Sequence, residues 1–180
     1  QSASDYLVIK TGDTLFGTLK YINDSGATPR LYKKFRLTGS GGKKNKFKIE
    51  NISSFRVKGI YYEGFWLNQT TEKIQLVNPK YSIDSRNGEK HFLRVVSKGK
   101  LSHYELEWFE QGDAMRYSMD LLKKENDNFL IRATQGIFGL KKRVLKSYFS
   151  DCPNLVKKIE NKEINTVCDI VIFFDDNCLN

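Results

Sequence analysis

The chain has 180 residues and a mass of 20.9 kDa, with 39% hydrophobic, 13% aromatic and 28% charged residues and only three prolines. That composition excludes intrinsic disorder and collagen-like or mucin-like repeats, and the length suffices for a core that buries roughly 70% of the unfolded surface. Thirty basic residues stand against 21 acidic ones, a net charge of +9, and because residues 151–180 carry −3 the first 150 carry +12. The longest apolar run, 170–174, is too short to cross a hydrocarbon layer of about 30 Å. Gln1-Ser2-Ala3-Ser4-Asp5 lacks the basic, apolar, small-residue progression of a signal peptide, so a leader is expected to have been removed already or never to have been there.

Up to residue 134, runs of β-branched and aromatic residues alternate with Gly, Asn and Asp pairs, the punctuation of hairpins. Runs 6–10 and 14–21 flank Thr11-Gly12-Asp13, and a two-residue Gly-Asp loop would set Ile9 opposite Phe16 and Val8 opposite Gly17. Ten basic residues and a single acid, Glu50, follow between positions 30 and 58. A field of that sign attracts nucleic acid, acidic glycans, lipopolysaccharide or anionic lipid; a solvated lysine-rich sheet face is the plainer reading. Within it, the low-complexity segment 38–45 reads as a loop tip.

Ile60-Tyr61-Tyr62-Glu63-Gly64-Phe65-Trp66-Leu67 predicts a turn at Glu63-Gly64, with Tyr62 opposite Phe65 and Tyr61 opposite Trp66. One of these aromatic pairs would then face the core and the other would offer a stacking surface to a glycan or protein. Strands 91–96 and 101–109 around Lys98-Gly99 place Leu93, Val95, Tyr104, Leu106 and Trp108 on a core face. Arg94, His103, Glu105 and Glu107 fall on the opposite, solvated one. A third hairpin, 115–124 and 129–134 around Asn126-Asp127, sets Leu122 opposite Ile131.

From Gln135 the period changes to 3.6. Ile137, Leu140, Val144, Leu145 and Tyr148 form one stripe and Lys141, Lys142, Arg143 and Lys146 the other side of an amphipathic helix. Asp151 is placed to cap a second helix starting near Pro153, with Leu155, Val156 and Ile159 inward. Residues 164–174 combine β propensity with helical spacing and are read as a helix carrying Cys168 on its apolar stripe, a buried free thiol.

The familiar chemistries find no footing. The glycine-rich run 37–44 has Leu37 where a phosphate loop needs Gly and Lys44 where it needs Ser or Thr, and no dinucleotide fingerprint exists. The two histidines, His91 and His103, point to opposite faces of their hairpin, with His103 at the surface, so no triad or metal pair forms there. Cys152, Cys168 and Cys178 match no zinc spacing, and neither a cofactor nor a metal is expected. Cys152 and Cys178 would meet if the last two helices are antiparallel, and a bridge between them implies an oxidising compartment; three reduced cysteines in a cytoplasmic protein is the competing reading.

Two segments carry a family resemblance: Asp5-Tyr6-Leu7-Val8-Ile9-Lys10-Thr11-Gly12-Asp13-Thr14-Leu15-Phe16-Gly17-Thr18-Leu19, and Tyr148-Phe149-Ser150-Asp151-Cys152-Pro153-Asn154-Leu155-Val156-Lys157-Lys158-Ile159 with the closing Asn177-Cys178. They resemble uncharacterised exported proteins of Bacteroidetes-type bacteria, which begin with a "GDT" hairpin and end in a short helical tail. The resemblance implies a periplasmic or secreted location and brings no activity or site residues. It departs from that group in the apolar 167–174, where an acidic amphipathic helix is usual.

The expected architecture is α+β, an antiparallel β domain of about seven to ten strands over 1–134, in a partial barrel or roll, with a tail of two or three helices over 135–180 packed on it. The expected function is a non-enzymatic exported binding or structural module. Its surface would comprise Arg30, Lys33, Lys34, Arg36, Lys43, Lys44, Lys46 and Lys48 with Tyr61, Tyr62, Phe65 and Trp66, facing an anionic glycan, an envelope component or a surface protein. The alternative is an intracellular nucleic-acid-binding protein using the same basic strands. A third class, carboxylate catalysis through Glu105 and Glu107, rests on their alternation alone.

Overall fold

The alternating runs before residue 134 form strands and the 3.6-period segments after it form helices, so the fold is α+β as expected. The structure, a computed structural model, describes residues 5–22, 34–68, 80–109, 115–135 and 139–178. Among the described residues there are twelve strands: β1 (Tyr6–Ile9), β2 (Thr14–Phe16), β3 (Thr18–Ile22), β4 (Lys34–Thr38), β5 (Lys44–Lys48), β6 (Ile52–Val57), β7 (Ile60–Asn68), β8 (Lys80–Ile83), β9 (Glu89–Ser97), β10 (Leu101–Phe109), β11 (Arg116–Lys124) and β12 (Phe129–Arg132). Three helices follow, α1 (Lys142–Tyr148), α2 (Pro153–Glu160) and α3 (Val167–Asn177). Nine strands pair in the order β2-β1-β6-β7-β8-β12-β11-β10-β9, and β7 also pairs β9, so the six strands from β7 to β9 close into a barrel; β3-β4-β5 form a separate antiparallel sheet. The strand count exceeds the expectation, in part because run 14–21 is two strands in different sheets. They separate at Gly17, where a Cβ would lie 2.3 Å from the carbonyl oxygen of Thr38.

The chain divides into two compact units, one of Gln1–Leu67, Asp84–Val95 and Glu107–Tyr117, the other of Asn68–Ile83, Val96–Leu106 and Ser118–Asn180. The first unit's core is Leu7, Leu19, Phe35, Leu37, Ile52, Phe55, Val57, Tyr62 and Phe92. Phe55 stands at its centre, with the rings of Tyr62, Phe35 and Phe92 at 4.7, 4.8 and 5.1 Å. Two hairpins of this unit depart from the turn-based expectation. Tyr6 pairs Phe16 and Val8 pairs Thr14, because the loop is longer than Gly-Asp: the Ile9 amide donates to the Asp13 carbonyl at 3.0 Å and Gly12 to Ile9 at 2.9 Å. Glu63-Gly64 is no turn, since β7 runs straight through it. The reversal falls five residues earlier, at Lys58 (φ 50°) and Gly59 (φ 82°), the paired left-handed geometry of a two-residue hairpin loop, with Val57 opposite Ile60. Gly64 serves a different end: a Cβ there would meet Lys90 Cε at 2.7 Å and Phe92 Cε1 at 2.9 Å.

The second unit packs the helices on strand residues Leu101, Leu122, Ile131 and Ala133, through Leu145 and Phe149, Leu155 and Ile159, and Val167, Ile170, Val171 and Phe174. Leu122 lies opposite Ile131 as the third hairpin requires. Helix α1 starts only at Lys142, since Leu140 is held in a bridge to Thr134, and Ile137 lies outside the described residues. Asp151 does not cap α2; the N-cap is Cys152, Pro153 takes the first turn, and Asp151 pairs with Lys124 at 2.7 Å. Segment 164–174 is helical from Val167, capped by Thr166, whose Oγ1 accepts from the Asp169 amide at 3.1 Å. Its buried stripe is Val167, Ile170, Val171 and Phe174, which leaves Cys168 exposed rather than buried. Among the described residues no helix is long and apolar enough to cross a membrane.

Candidate functional site

Five residues of the basic run lie on one face of the β3-β4-β5 sheet; Arg56 is on β6 and Lys58 in the turn that follows it. Thr18, Thr38 and Lys44 stand side by side across the three strands, Lys20, Arg36 and Lys46 form the next row, and Lys34 lies opposite Lys48. Because side chains alternate, these residues share one face while Leu19, Phe35 and Leu37 enter the core on the other. Lys20, Lys34, Arg36, Lys44, Lys46 and Lys48 are all exposed, and among the described residues none has an ion-pair partner. The six charges repeat at about 5 Å across the strands and about 7 Å along them, inside a Debye length, so their potentials add.

Like charges directly opposite each other destabilise a strand pair by some tenths of a kcal/mol, which the apolar underside offsets. Lysines on β5 alone would be ordinary protection of an edge strand. That account does not reach Lys34 and Arg36, which sit on the central strand β4.

Of the expected surface, Lys34, Arg36, Lys44, Lys46 and Lys48 are thus brought together, Lys43 lies in the loop beside them, and Arg30 and Lys33 lie outside the described residues. Lys20 was not foreseen. Its signal was available in the alternation of 18–22, but only the β3–β4 pairing puts it beside Arg36.

The aromatic segment is placed differently from the hairpin expectation. Tyr62, 2% exposed, is a core residue stacked on Phe55, and its hydroxyl donates to Glu107 Oε2 at 3.2 Å. Tyr61, Phe65 and Trp66 are half-buried on β7, with Phe65 opposite His91 and Trp66 opposite Lys90. The Trp66 ring already has Lys10 and Lys90 ammonium groups at 5.7 and 5.4 Å from its centroid. Burial first, and then the neighbouring Lys10, hold the Lys90 pKa below the usual lysine range, with Glu50 opposing.

The face of β10 taken as solvated is in part internal. Glu107 is buried, with Arg116 Nη1 at 3.3 Å and the Tyr62 hydroxyl on its other oxygen. His103 is also buried, not at the surface, and its Nε2 lies 2.8 Å from Asp120 Oδ1. Thr134 Oγ1 donates to Asp120 Oδ2 at 2.8 Å and accepts from the Asp120 amide at 3.3 Å.

Burial alone would raise the Asp120 pKa, but hydrogen bonds from His103 and Thr134 and the His103 charge outweigh it and hold the carboxyl below its ordinary value. A carboxyl depressed on folding stabilises the native state above its unfolded pKa of about 4 and loses that contribution as pH falls through the lower folded value. Asp120→Asn is therefore expected to lower stability by about 1–2 kcal/mol at pH 7 and much less below pH 3, as read by urea unfolding at both pH values.

The two cysteines expected to meet do so. Cys152 Sγ and Cys178 Sγ are 2.15 Å apart across a sequence separation of 26, joining the start of α2 to the end of α3. Comparison of the chain with protein-family models, with curated proteins and with solved structures finds no match.

Proposed function

We propose that this protein is an exported, non-enzymatic binding module whose β3-β4-β5 face holds an anionic glycan of the cell envelope. The observation that carries the reading is the arrangement of six exposed cations in cross-strand rows, two of them on a central strand where edge protection does not apply. Export is supported by the Cys152–Cys178 pair, which persists in an oxidising compartment, and by the likeness of the "GDT" hairpin and tail to exported proteins. A glycan is favoured over nucleic acid because the described side chains of this face are lysines, one arginine and threonine hydroxyls. Single-stranded nucleic acid is held by stacking on aromatic platforms as well as by charge.

The test is fluorescence anisotropy with a labelled sulfated or uronic-acid oligosaccharide at 50 and 200 mM salt. Six contacts should give a log–log salt slope of roughly −4, a loss of about two orders of magnitude over that range. Arg36→Glu with Lys46→Glu, both exposed, should weaken binding at least tenfold at low salt and flatten the slope, whereas Trp66→Ala should change it little. Unchanged binding in the double variant would remove this face from the account. Equal or tighter binding of a single-stranded oligonucleotide would replace the glycan with nucleic acid.

A further inference from the structure

Lys90 is a lysine on the core side of a sheet. It stands on β9 opposite Trp66 of β7, and Phe92, the next residue on the same face of β9, lies opposite Gly64 and belongs to the first unit's core. Only 9% of Lys90 is exposed. Its Nζ lies 5.4 Å from the centroid of the Trp66 ring and 5.8 Å from that of Phe92. Gly64 makes room for it, since a Cβ there would stand 2.9 Å from Nζ. Among the described residues this nitrogen makes no hydrogen bond and no ion pair.

Two charges act on it. Lys10, exposed just after β1, holds its ammonium 5.7 Å from the same Trp66 centroid, and Glu50, exposed in the helical turn 49–51, acts in the opposite sense. A buried ammonium without an acceptor is costly, and a second cation at the same ring adds repulsion, so both favour the neutral amine. The Lys90 pKa is held low by burial first and by Lys10 second. A lysine desolvated among apolar groups beside another cation is the arrangement that activates an amine toward a carbonyl carbon.

We infer that Lys90 is a nucleophilic amine that captures a small apolar aldehyde as an imine, with the Trp66 and Phe92 rings against the body of the ligand. The slight exposure of Lys90 limits the size of the carbonyl compound, and the two rings select against polar ones. In the reaction the neutral Nζ attacks the carbonyl carbon and the C–N bond forms. Both amine protons pass to the carbonyl oxygen, which leaves as water when the C=N bond closes. Amine and aldehyde thus give an imine and one water, with no change of oxidation state and no further reactant. The inference does not rest on the polyanion face, since none of Lys10, Trp66 and Lys90 belongs to its cationic rows.

The experiment treats the full chain at pH 7 with butanal and sodium cyanoborohydride, which reduces the imine to a stable secondary amine, and follows each lysine by peptide mass mapping. Lys90 is expected to be alkylated at least about tenfold faster than the exposed Lys46 and Lys157. Lys10→Gln removes the repelling cation and should slow Lys90 about threefold or more, whereas Glu50→Gln removes the opposing anion and should speed it about twofold. Opposite signs distinguish electrostatic activation from a change of access, and circular dichroism reports whether each variant is folded. Glyoxylate, a charged aldehyde without an apolar body, should show a preference for Lys90 over Lys46 at least about threefold smaller than that of butanal. The proposal is overturned if Lys90 reacts no faster than Lys46, if glyoxylate keeps the full preference, or if folded Lys10→Gln and Glu50→Gln variants both leave the Lys90 rate unchanged.

Discussion

Replacing Phe55 with alanine is expected to lower the unfolding free energy by about 4 kcal/mol, the upper part of the usual range for a buried phenylalanine. Phe55 has no exposed surface and lies opposite both Leu7 and Tyr62 in its sheet. It is the common neighbour of three aromatic rings, stacked on Tyr62 and edge-on to Phe35 and Phe92. Such pairs contribute about 0.5–1.5 kcal/mol each beyond burial, so truncation removes ring contacts as well as creating a cavity. For a chain of this size the midpoint of thermal unfolding should fall by about 8–16 °C. Phe55→Leu, which keeps most of the volume, should cost less than half as much. The change should also reach the basic face, because Phe35, which packs on Phe55, lies between Lys34 and Arg36 on β4. Urea and thermal unfolding measure the effect. A loss for Phe55→Ala below about 1.5 kcal/mol would mean that the first unit's core is not organised around this ring.

Removing the disulfide is the second large effect. A bridge across 26 residues restricts the unfolded chain by about 3 kcal/mol in the loop-entropy picture, and Cys152→Ser should lower the thermal midpoint by about 6–12 °C. Cys178→Ser should do the same, and the double variant should add little, because one bond is lost in every case. Cys168→Ser is the control: its thiol is exposed, and the change should stay within about 0.5 kcal/mol.

Alkylation followed by intact mass, on protein from its native host, reads the same bond directly. One modified thiol before reduction and three after is the expected pattern. Three from the start would remove the argument for an oxidising compartment and move nucleic acid ahead of a glycan as the partner of the basic face.

Local pattern by itself determined several features of this protein. Period-two runs bounded by Gly, Asn and Asp pairs marked the strands, the change to period 3.6 marked the helices, and the run of basic residues between 30 and 58 marked a solvated, lysine-rich sheet face. It did so because side-chain direction in a strand or helix follows from backbone geometry alone.

Tertiary structure decided the rest, for three physical reasons. Lys58-Gly59 and Glu63-Gly64 are both able to turn the chain, and only the pairing of β6, β7 and β9 selects the first and makes Tyr62 a core residue. Alternation shows that His103, Glu105 and Glu107 share a face, but not whether other groups cover it. Asp120 reaches His103 and Arg116 reaches Glu107 from the next strand, β11, and Tyr62 reaches Glu107 from β7, 45 residues away in sequence. The addition of Lys20 to the basic rows likewise depends on which strands become neighbours, a cooperative outcome of packing that no local run of residues encodes.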